Sequence, residues 1–185
     1  QYGRREMPFV EPRLEIITMG QSMIVNASAR IMPYVKRKFK NKSKYEIMTS
    51  KLVYGVNQYY LPDFENIKPV QNDRFDFKII DKNIQSLYKY KGFNNALQYY
   101  ENSKRPEVLA ALCYKNNELV GIACASADSK TMYQIGVDVL PQYRGNEIAV
   151  KLVNMLTIEI LNRGIVPYYT TDCTNINPQK VAVKS

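Results

Sequence analysis

"VLPQYRGNEIAVKLVNML" (residues 139–156) passes from an apolar strand end through a proline, an arginine and a glycine into a helical stretch. A helix begins with backbone N–H groups that have no intrahelical acceptor, and its aligned peptide dipoles place partial positive charge at the same end. Phosphates dock on such ends. Gly145 lets a ligand approach the backbone with no Cβ in the way, and Arg144 adds a fixed positive charge beside the exposed donors. A diphosphate suits this turn.

The flanks define a supersecondary unit. In "TMYQIGVDVLP", Ile135, Val137 and Val139 share one face of a strand while Gln134, Gly136 and Asp138 share the other. After the turn, Ala149, Leu152, Val153, Leu156 and Ile160 recur at helical spacing, which assigns Lys151, Asn154, Glu159 and Arg163 to the remaining surface. Gly164 and Pro167 end the helix, and "IVPYYTT" forms another strand. Strand, helix and strand make a crossover between parallel strands. The quoted turn lies at a strand's carboxyl end, where open α/β sheets bind ligands.

Upstream, "VLAALCYKNNELVGIACASAD" reads as two apolar strands around Asn116 and Asn117, residues that tolerate a tight hairpin's left-handed backbone. A two-residue turn sets Cys113 opposite Val120 and Cys124 opposite Leu109, so these thiols do not bond. "FDFKIID" alternates as a short strand, and "NIQSLYKYKGFNNALQYYEN" supplies helical segments interrupted near Gly92. Earlier, "RLEIITMGQSMIVNAS" is an extended pair turning at Met19, Gly20 and Gln21. A helix is expected from Ser28, its cap, toward Lys40, with Pro33 in its first turns. "YLPDFENIKPVQND" is a connector. The expected division is an amino-terminal extension over residues 1–70 and a ligand-binding domain over 71–185.

Composition limits the chemistry. The 185 residues, 45% hydrophobic and 23% charged, suit one globular domain with an arm. Histidine is absent, which excludes a Ser-His-Asp or Cys-His nucleophile and the commonest metal sites. The three cysteines, Cys113, Cys124 and Cys173, form no CxxC pattern, so neither a disulfide framework nor a zinc site is expected. With no signal peptide and no apolar run of the roughly 20 residues a span needs, the expectation is a cytoplasmic protein without a membrane partner. The first residue is Gln1, so a preceding piece is expected.

Twenty-six basic against 17 acidic residues give a net charge of +9, which attracts polyanions or phosphorylated small molecules. The densest run, "VKRKFKNKSK", holds Lys36, Arg37, Lys38, Lys40, Lys42 and Lys44. It reads as the solvated end of a short helix in preference to a nucleic-acid helix, since no bidentate pattern stands out.

From Phe75 onward the chain resembles the GNAT superfamily of acyl-CoA-dependent N-acyltransferases. Its signature, a strand ending in Val-x-Pro and then Gln/Arg-x-x-Gly-x-Gly/Ala at a helix start, is matched by Val139, Pro141, Gln142, Arg144, Gly145, Ile148 and Ala149. Asn175 stands where the family places an asparagine after its fifth strand, and the chain stops at Ser185, where a Gly-Phe pair is expected to follow. The resemblance implies an α/β (α+β) fold: a mixed, mainly antiparallel sheet with splayed central strands and flanking helices, here carrying an amino-terminal β-hairpin and helix extension.

It also implies a site for acetyl-CoA, with no metal. The amides of Arg144, Gly145, Asn146, Glu147, Ile148 and Ala149 hold the pyrophosphate, while Val137, Asp138, Val139 and Leu140 border the pantetheine and acyl carbonyl. An amine then attacks the thioester directly. Two positions depart from the pattern. Glu147 replaces the second Gly or Ala, and an acid in a first helical turn suits the dipole while pointing outward. Ala182 stands where relatives carry a general-acid tyrosine. Candidates for proton transfer are Asp138, Tyr133 and Asp172, with Tyr169 and Cys173 also near the implied cleft.

Three functions follow: an N-acetyltransferase acting on an amine-bearing small molecule, peptide or protein, an inactive acyl-CoA-binding regulatory module, or a nucleic-acid binder using residues 36–44. A homo-oligomer is compatible with each.

Overall fold

The computed structural model describes residues 13–100 and 103–185. The first twelve residues of the expected extension and the Glu101 and Asn102 end of the expected helical segment lie outside the described residues. Two compact units divide between Gly55 and Val56.

The amino-terminal unit pairs β1 (Leu14–Met19) with β2 (Ser22–Ala27) around Gly20, whose φ of +54° meets the tight turn's need for left-handed backbone. Two helices follow, α1 (Met32–Phe39) and α2 (Lys44–Met48). Val35, Phe39 and Ile47 are buried against Leu14, Ile16, Met23 and Val25. The helix expected from Ser28 starts later, at Met32. Ser28 instead heads a turn: its Oγ accepts the Arg13 N–H at 2.8 Å, and its carbonyl accepts Ile31 and Met32. Pro33 lies in the first helical turn, as expected.

The second unit is built on a six-stranded sheet in the order β3-β8-β7-β6-β5-β4. Its strands are β3 (Asn57–Tyr60), β4 (Asp76–Ile80), β5 (Glu107–Lys115), β6 (Glu118–Ala127), β7 (Met132–Val139) and β8 (Val166–Asp172). All neighbours are antiparallel except β7 and β8, which are parallel and joined by α3 (Ile148–Asn162); α4 (Ile176–Lys184) closes the chain. The expected sheet and crossover are both present.

On one face Leu109, Ala111, Ala123 and Ile135 pack against Leu152, Val153, Leu156 and Ile160 of α3. The other face buries Ala110, Leu112, Ile122 and Cys124 under Ile84, Leu87, Phe93 and Leu97. That cover differs from the expected helical segments, being a 3-10 helix (Ile84–Lys89) followed by irregular turns. Three of its backbone N–H groups are claimed from the sheet: Gln98 donates to Glu107 Oε1, and Asn95 and Ala96 donate to Asp138; a fourth, that of Phe93, donates to the Tyr99 hydroxyl within the segment. Carboxylates on the sheet thereby replace α-helical acceptors.

Two further expectations are corrected. Cys113 faces Gly121 and Cys124 faces Ala110, because an irregularity between Cys113 and Tyr114 displaces the hairpin register by one residue. Asn154, placed on the helix surface by its polarity, is 1% exposed. Its Oδ1 accepts the Val70 N–H at 2.9 Å and its Nδ2 donates to the Lys68 carbonyl at 2.9 Å, so the buried amide is satisfied by the connector's backbone. β3 adds to the edge of this sheet by pairing with β8, and residues 56–70 lie in this unit. Among the described residues no helix is long and apolar enough to cross a membrane.

Candidate active site

Strand parity locates an opening in the sheet. The Leu140 N–H donates to the Val120 carbonyl at 2.9 Å, so the pairs aligned with it two residues apart along β6 and β7 exchange hydrogen bonds, and the odd-numbered β7 residues direct their backbone groups the other way. There Met132, Tyr133, Gln134 and Ile135 pair with Val166, Pro167, Tyr168 and Tyr169 of β8. Pairing ends at Ile135 and Tyr169, whereas β7 continues to Val139 and β8 to Asp172. The backbones of Val137 and Val139 therefore face a gap between diverging strands. A cleft of about 470 Å³ borders the last bridged pair, lined by Ile135 and Tyr169 with Val153, Thr157 and Ala182.

At the carboxyl end of β7 the chain makes a 3-10 turn (Pro141–Tyr143) and enters α3. Gly145, at φ +79°, and Glu147, at φ +58°, reverse its direction. No side chain caps α3, and its first intrahelical bond is Lys151 N–H to the Glu147 carbonyl at 3.1 Å. The amides of Ile148, Ala149 and Val150 thus precede any intrahelical acceptor. Glu147 occupies the N-cap position, one step ahead of the first turn where sequence placed it, and its exposed carboxylate pairs with Lys184 at 3.3 Å. Gln142 is exposed in the 3-10 turn. Arg144 is also exposed, and its Nε donates to the Val139 carbonyl at 3.2 Å, bracing the strand end against the turn.

The turn has supports that the sequence reading did not find. Asn72 Nδ2 and Arg74 Nη2 both donate to the Asn146 carbonyl, at 2.9 and 3.1 Å, and Arg74 Nη1 reaches Asn146 Oδ1 at 3.3 Å. Arg74 thus sets a second guanidinium beside the turn. Gly121 permits close approach of the helix to β6: a Cβ built there meets Ile148 Cγ2 at 2.9 Å and Leu152 Cδ1 at 3.1 Å. An isolated glycine within a strand was the available sign of that approach. Asn72 and Arg74 carried no such sign, being two polar residues in a polar connector.

The three candidates for proton transfer are separated. Asp138 lies on the sheet face away from α3, where its carboxylate accepts Asn95 N–H at 2.6 Å, Ala96 N–H at 2.9 Å and Asn95 Nδ2 at 2.6 Å. Burial pushes its carboxyl above the ordinary value, outweighing the opposing N–H bonds from Ala96 and Asn95 and the charge of Arg144. Tyr133 sits on the opposite face in the paired half of β7, packed against the α3-side core. Asp172 is exposed at the end of β8 and accepts both Thr174 N–H and Thr174 Oγ1, at 2.7 and 2.6 Å, which hold its carboxyl below the usual range. Asn175 is the exposed N-cap of α4, and Cys173 is an exposed free thiol. At the closed end of the gap, Gln134 Nε2 donates to Thr170 Oγ1 at 2.7 Å. Among the described residues no group of three or more His, Cys, Asp or Glu is placed to hold a metal.

The fold recurs in solved structures. A GCN5-related N-acetyltransferase-like protein from Streptococcus suis 89/1591 superposes with a TM-score of 0.56 at 18% identity, covering 92% of this chain and 77% of its own. An acetyltransferase from the GNAT family of Colwellia psychrerythraea gives a TM-score of 0.53 at 19% identity, and this chain's 71% coverage spans 51% of that longer protein. No curated protein matches the sequence. A profile of the GNAT acetyltransferase family matches residues 9–184, so the splayed strands and uncapped helix start are features of a member: this chain belongs to the GNAT acetyltransferase family.

Proposed function

We propose that this chain transfers an acetyl group from acetyl-CoA to a primary amine of a small molecule, peptide or protein. One observation carries the reading: β7 and β8 separate after Ile135 and Tyr169, and the uncapped first turn of α3 stands at the same end of β7. The Val137 backbone and the Val139 N–H, which β8 does not pair, suit the amide groups of a pantetheine arm. The amides from Arg144 to Ala149, with the Arg144 guanidinium nearby, suit its pyrophosphate. Asn175, across the gap on α4, borders the same arm.

The chemistry asks little of side chains. The amine lone pair forms the C–N bond to the thioester carbonyl and the C–S bond breaks. The departing thiolate takes one proton, and the amine gives one up to a base or water. A backbone N–H near Val139 polarises the carbonyl oxygen, and holding the two reactants together supplies much of the rate. Asp138, Tyr133 and Asp172 remain the candidates for the base. Asp138 has the raised carboxyl that such a role favours, although its oxygens already bind three N–H groups.

Calorimetric titration with acetyl-CoA tests the reading. Micromolar binding by the intact chain, lost in an Arg144→Ala, Gly145→Glu double variant, supports it; no heat from the intact chain overturns it. Glu147→Gly supplies the residue type that the family pattern carries and removes a carboxylate from the helix start. It is expected to tighten acetyl-CoA binding several-fold.

A further inference from the structure

Beyond the closed end of the gap, the fold leaves a space that a pyrophosphate and a pantetheine arm do not use. The cleft of about 470 Å³ that borders Ile135 and Tyr169 lies between α3 and the connector. Ile135, Val153 and Pro167, all buried, make its floor, and Leu61, Ile67 and Val70 of the connector make its wall. Thr157 joins the floor as a polar member, and Ala182 of α4 adds no more than a methyl group. The charged residues that border the cleft, Asp63, Lys68 and Lys184, are exposed and lie at its rim. Close-packed interiors hold few spaces of this size, because the lining atoms forfeit dispersion contacts.

The wall is fastened in place. Asn154 of α3, itself buried, accepts the Val70 N–H and donates to the carbonyls of Lys68 at 2.9 Å and of Ser185 at 3.2 Å, and Lys151 Nζ donates to the Val70 carbonyl. One buried amide thus ties the connector and the end of the chain after α4 to the same turn of α3, and both line the cleft. A satisfied buried network of this kind rigidifies what it joins, so the space keeps its volume.

Direction selects the occupant. On the coenzyme A reading proposed above, on which this inference rests, the pyrophosphate lies at the start of α3 and the pantetheine arm runs down the gap past Val139 and Val137. Its leading end carries the acyl group toward Ile135, which is two residues, or about 7 Å of strand, beyond Val137. An acetyl methyl stops short of the cleft, and a chain of several more carbons enters it. An acceptor amine, charged at neutral pH, loses solvation on an apolar floor, whereas a hydrocarbon gains by burial there.

We propose that the donor site takes unbranched acyl groups longer than acetyl, with the tail in the cleft between α3 and the connector. Acetyl-CoA is then the shortest donor the site holds, and medium-length acyl-CoA thioesters bind more tightly. The bond changes are those of acetyl transfer: C–N forms at the thioester carbonyl, C–S breaks, the amine gives up a proton and the thiolate takes one, leaving an amide and free coenzyme A.

Calorimetric titration of the full chain with acetyl-, butyryl-, hexanoyl- and octanoyl-CoA is the test. Affinity is expected to rise by up to about fourfold for each methylene buried, and by at least about tenfold from acetyl to octanoyl. Ile67→Asp puts a carboxylate into the wall, away from the pantetheine path. It is expected to remove the rise with chain length and to leave acetyl-CoA affinity unchanged. Ala182→Phe fills the cleft from α4 and is expected to flatten the series as well, so that if thermal melting shows one variant misfolded the other decides. A flat series in the intact chain that still binds acetyl-CoA overturns this proposal and leaves the acetyl-transfer reading standing, whereas no binding of any thioester overturns both. A rise that persists unchanged in either variant while it stays folded puts the tail outside the cleft and overturns the proposal.

Discussion

The β5–β6 hairpin and the β7–β8 pair use similar apolar residues and end differently. The hairpin is bridged from Glu107 and Ser126 to Lys115 and Glu118, nearly its full length, and its Leu109, Ala111, Ala123 and Ala125 are buried. The parallel pair is bridged over only four positions before its strands part in the middle of a six-stranded sheet. Sheets ordinarily satisfy their backbone groups, so a central strand whose outer half is paired on the β6 side alone is an expensive arrangement. It persists because supports on both faces hold β7 without help from β8: Asp138 is tied to Asn95 and Ala96 on one side, and Gly121 admits α3 closely on the other.

The largest effect is therefore expected at Asp138. Replacing it with alanine strands two backbone N–H groups and one amide in a half-buried setting, and it is predicted to cost about 2–4 kcal/mol in urea unfolding. A carboxylate that serves only in proton transfer predicts lost turnover with unchanged stability, and β7 would then hold its unpaired half without Asp138. Gly121→Val comes next. Its side chain meets Ile148 and Leu152 at the helix start, so a loss of about 1–3 kcal/mol is expected together with weakened acetyl-CoA binding. Retained affinity at reduced stability would mean that the helix start keeps its place without contact to β6.

Thiol chemistry reads the same contrast with less perturbation. Cys113 is buried in the bridged hairpin, and that burial pushes its thiol up to about 12, so it is expected to resist alkylation in the native state at neutral pH. Cys124 is buried on the other face of the same hairpin, while Cys173 is exposed after β8 and should react alone. Labelling of Cys113 or Cys124 without denaturant, found by mass spectrometry, would show that the hairpin opens more readily than its pairing implies.

What the sequence made legible follows local chemistry. Proline, glycine and strict periodicity placed β7, the turn, α3 and β8, because each of those elements is determined by its own residues. β3 was not legible: Asn57, Gln58, Tyr59 and Tyr60 are mostly exposed, show no alternation and owe their extended state to pairing with residues 169–172. The cover over residues 84–99 was misread for a related reason, since Asp138 and Glu107, both outside the segment on the sheet, take its amides. Asn154 broke the polarity rule because it serves the connector's backbone and not solvent. The anion-site reading of the helix start needed only Gly145 and the helical period, whereas Asn72 and Arg74, which hold that turn, become visible only once the chain has folded back on itself.

The smallest effect concerns two carboxylates on one face of the two parting strands. Asp138 has a carboxyl raised above its ordinary 3.8 by burial, and Asp172 has one lowered from the same value by Thr174. A raised folded-state pKa means that the native state holds its proton longer than the unfolded chain. The contribution of Asp138 is thus greatest below the ordinary value and falls as pH rises through the raised one. For Asp172 the sign reverses, so its contribution is present above 3.8 and is lost on acidification. Stability measured against pH should accordingly lose its falling limb at rising pH in Asp138→Asn, and part of its acid limb in Asp172→Asn. Carboxyl-carbon NMR titration supplies the direct check. Equal midpoints for the two would mean that Asp138 is as well solvated as Asp172, and that the loop at Asn95 and Ala96 does not close over the end of β7.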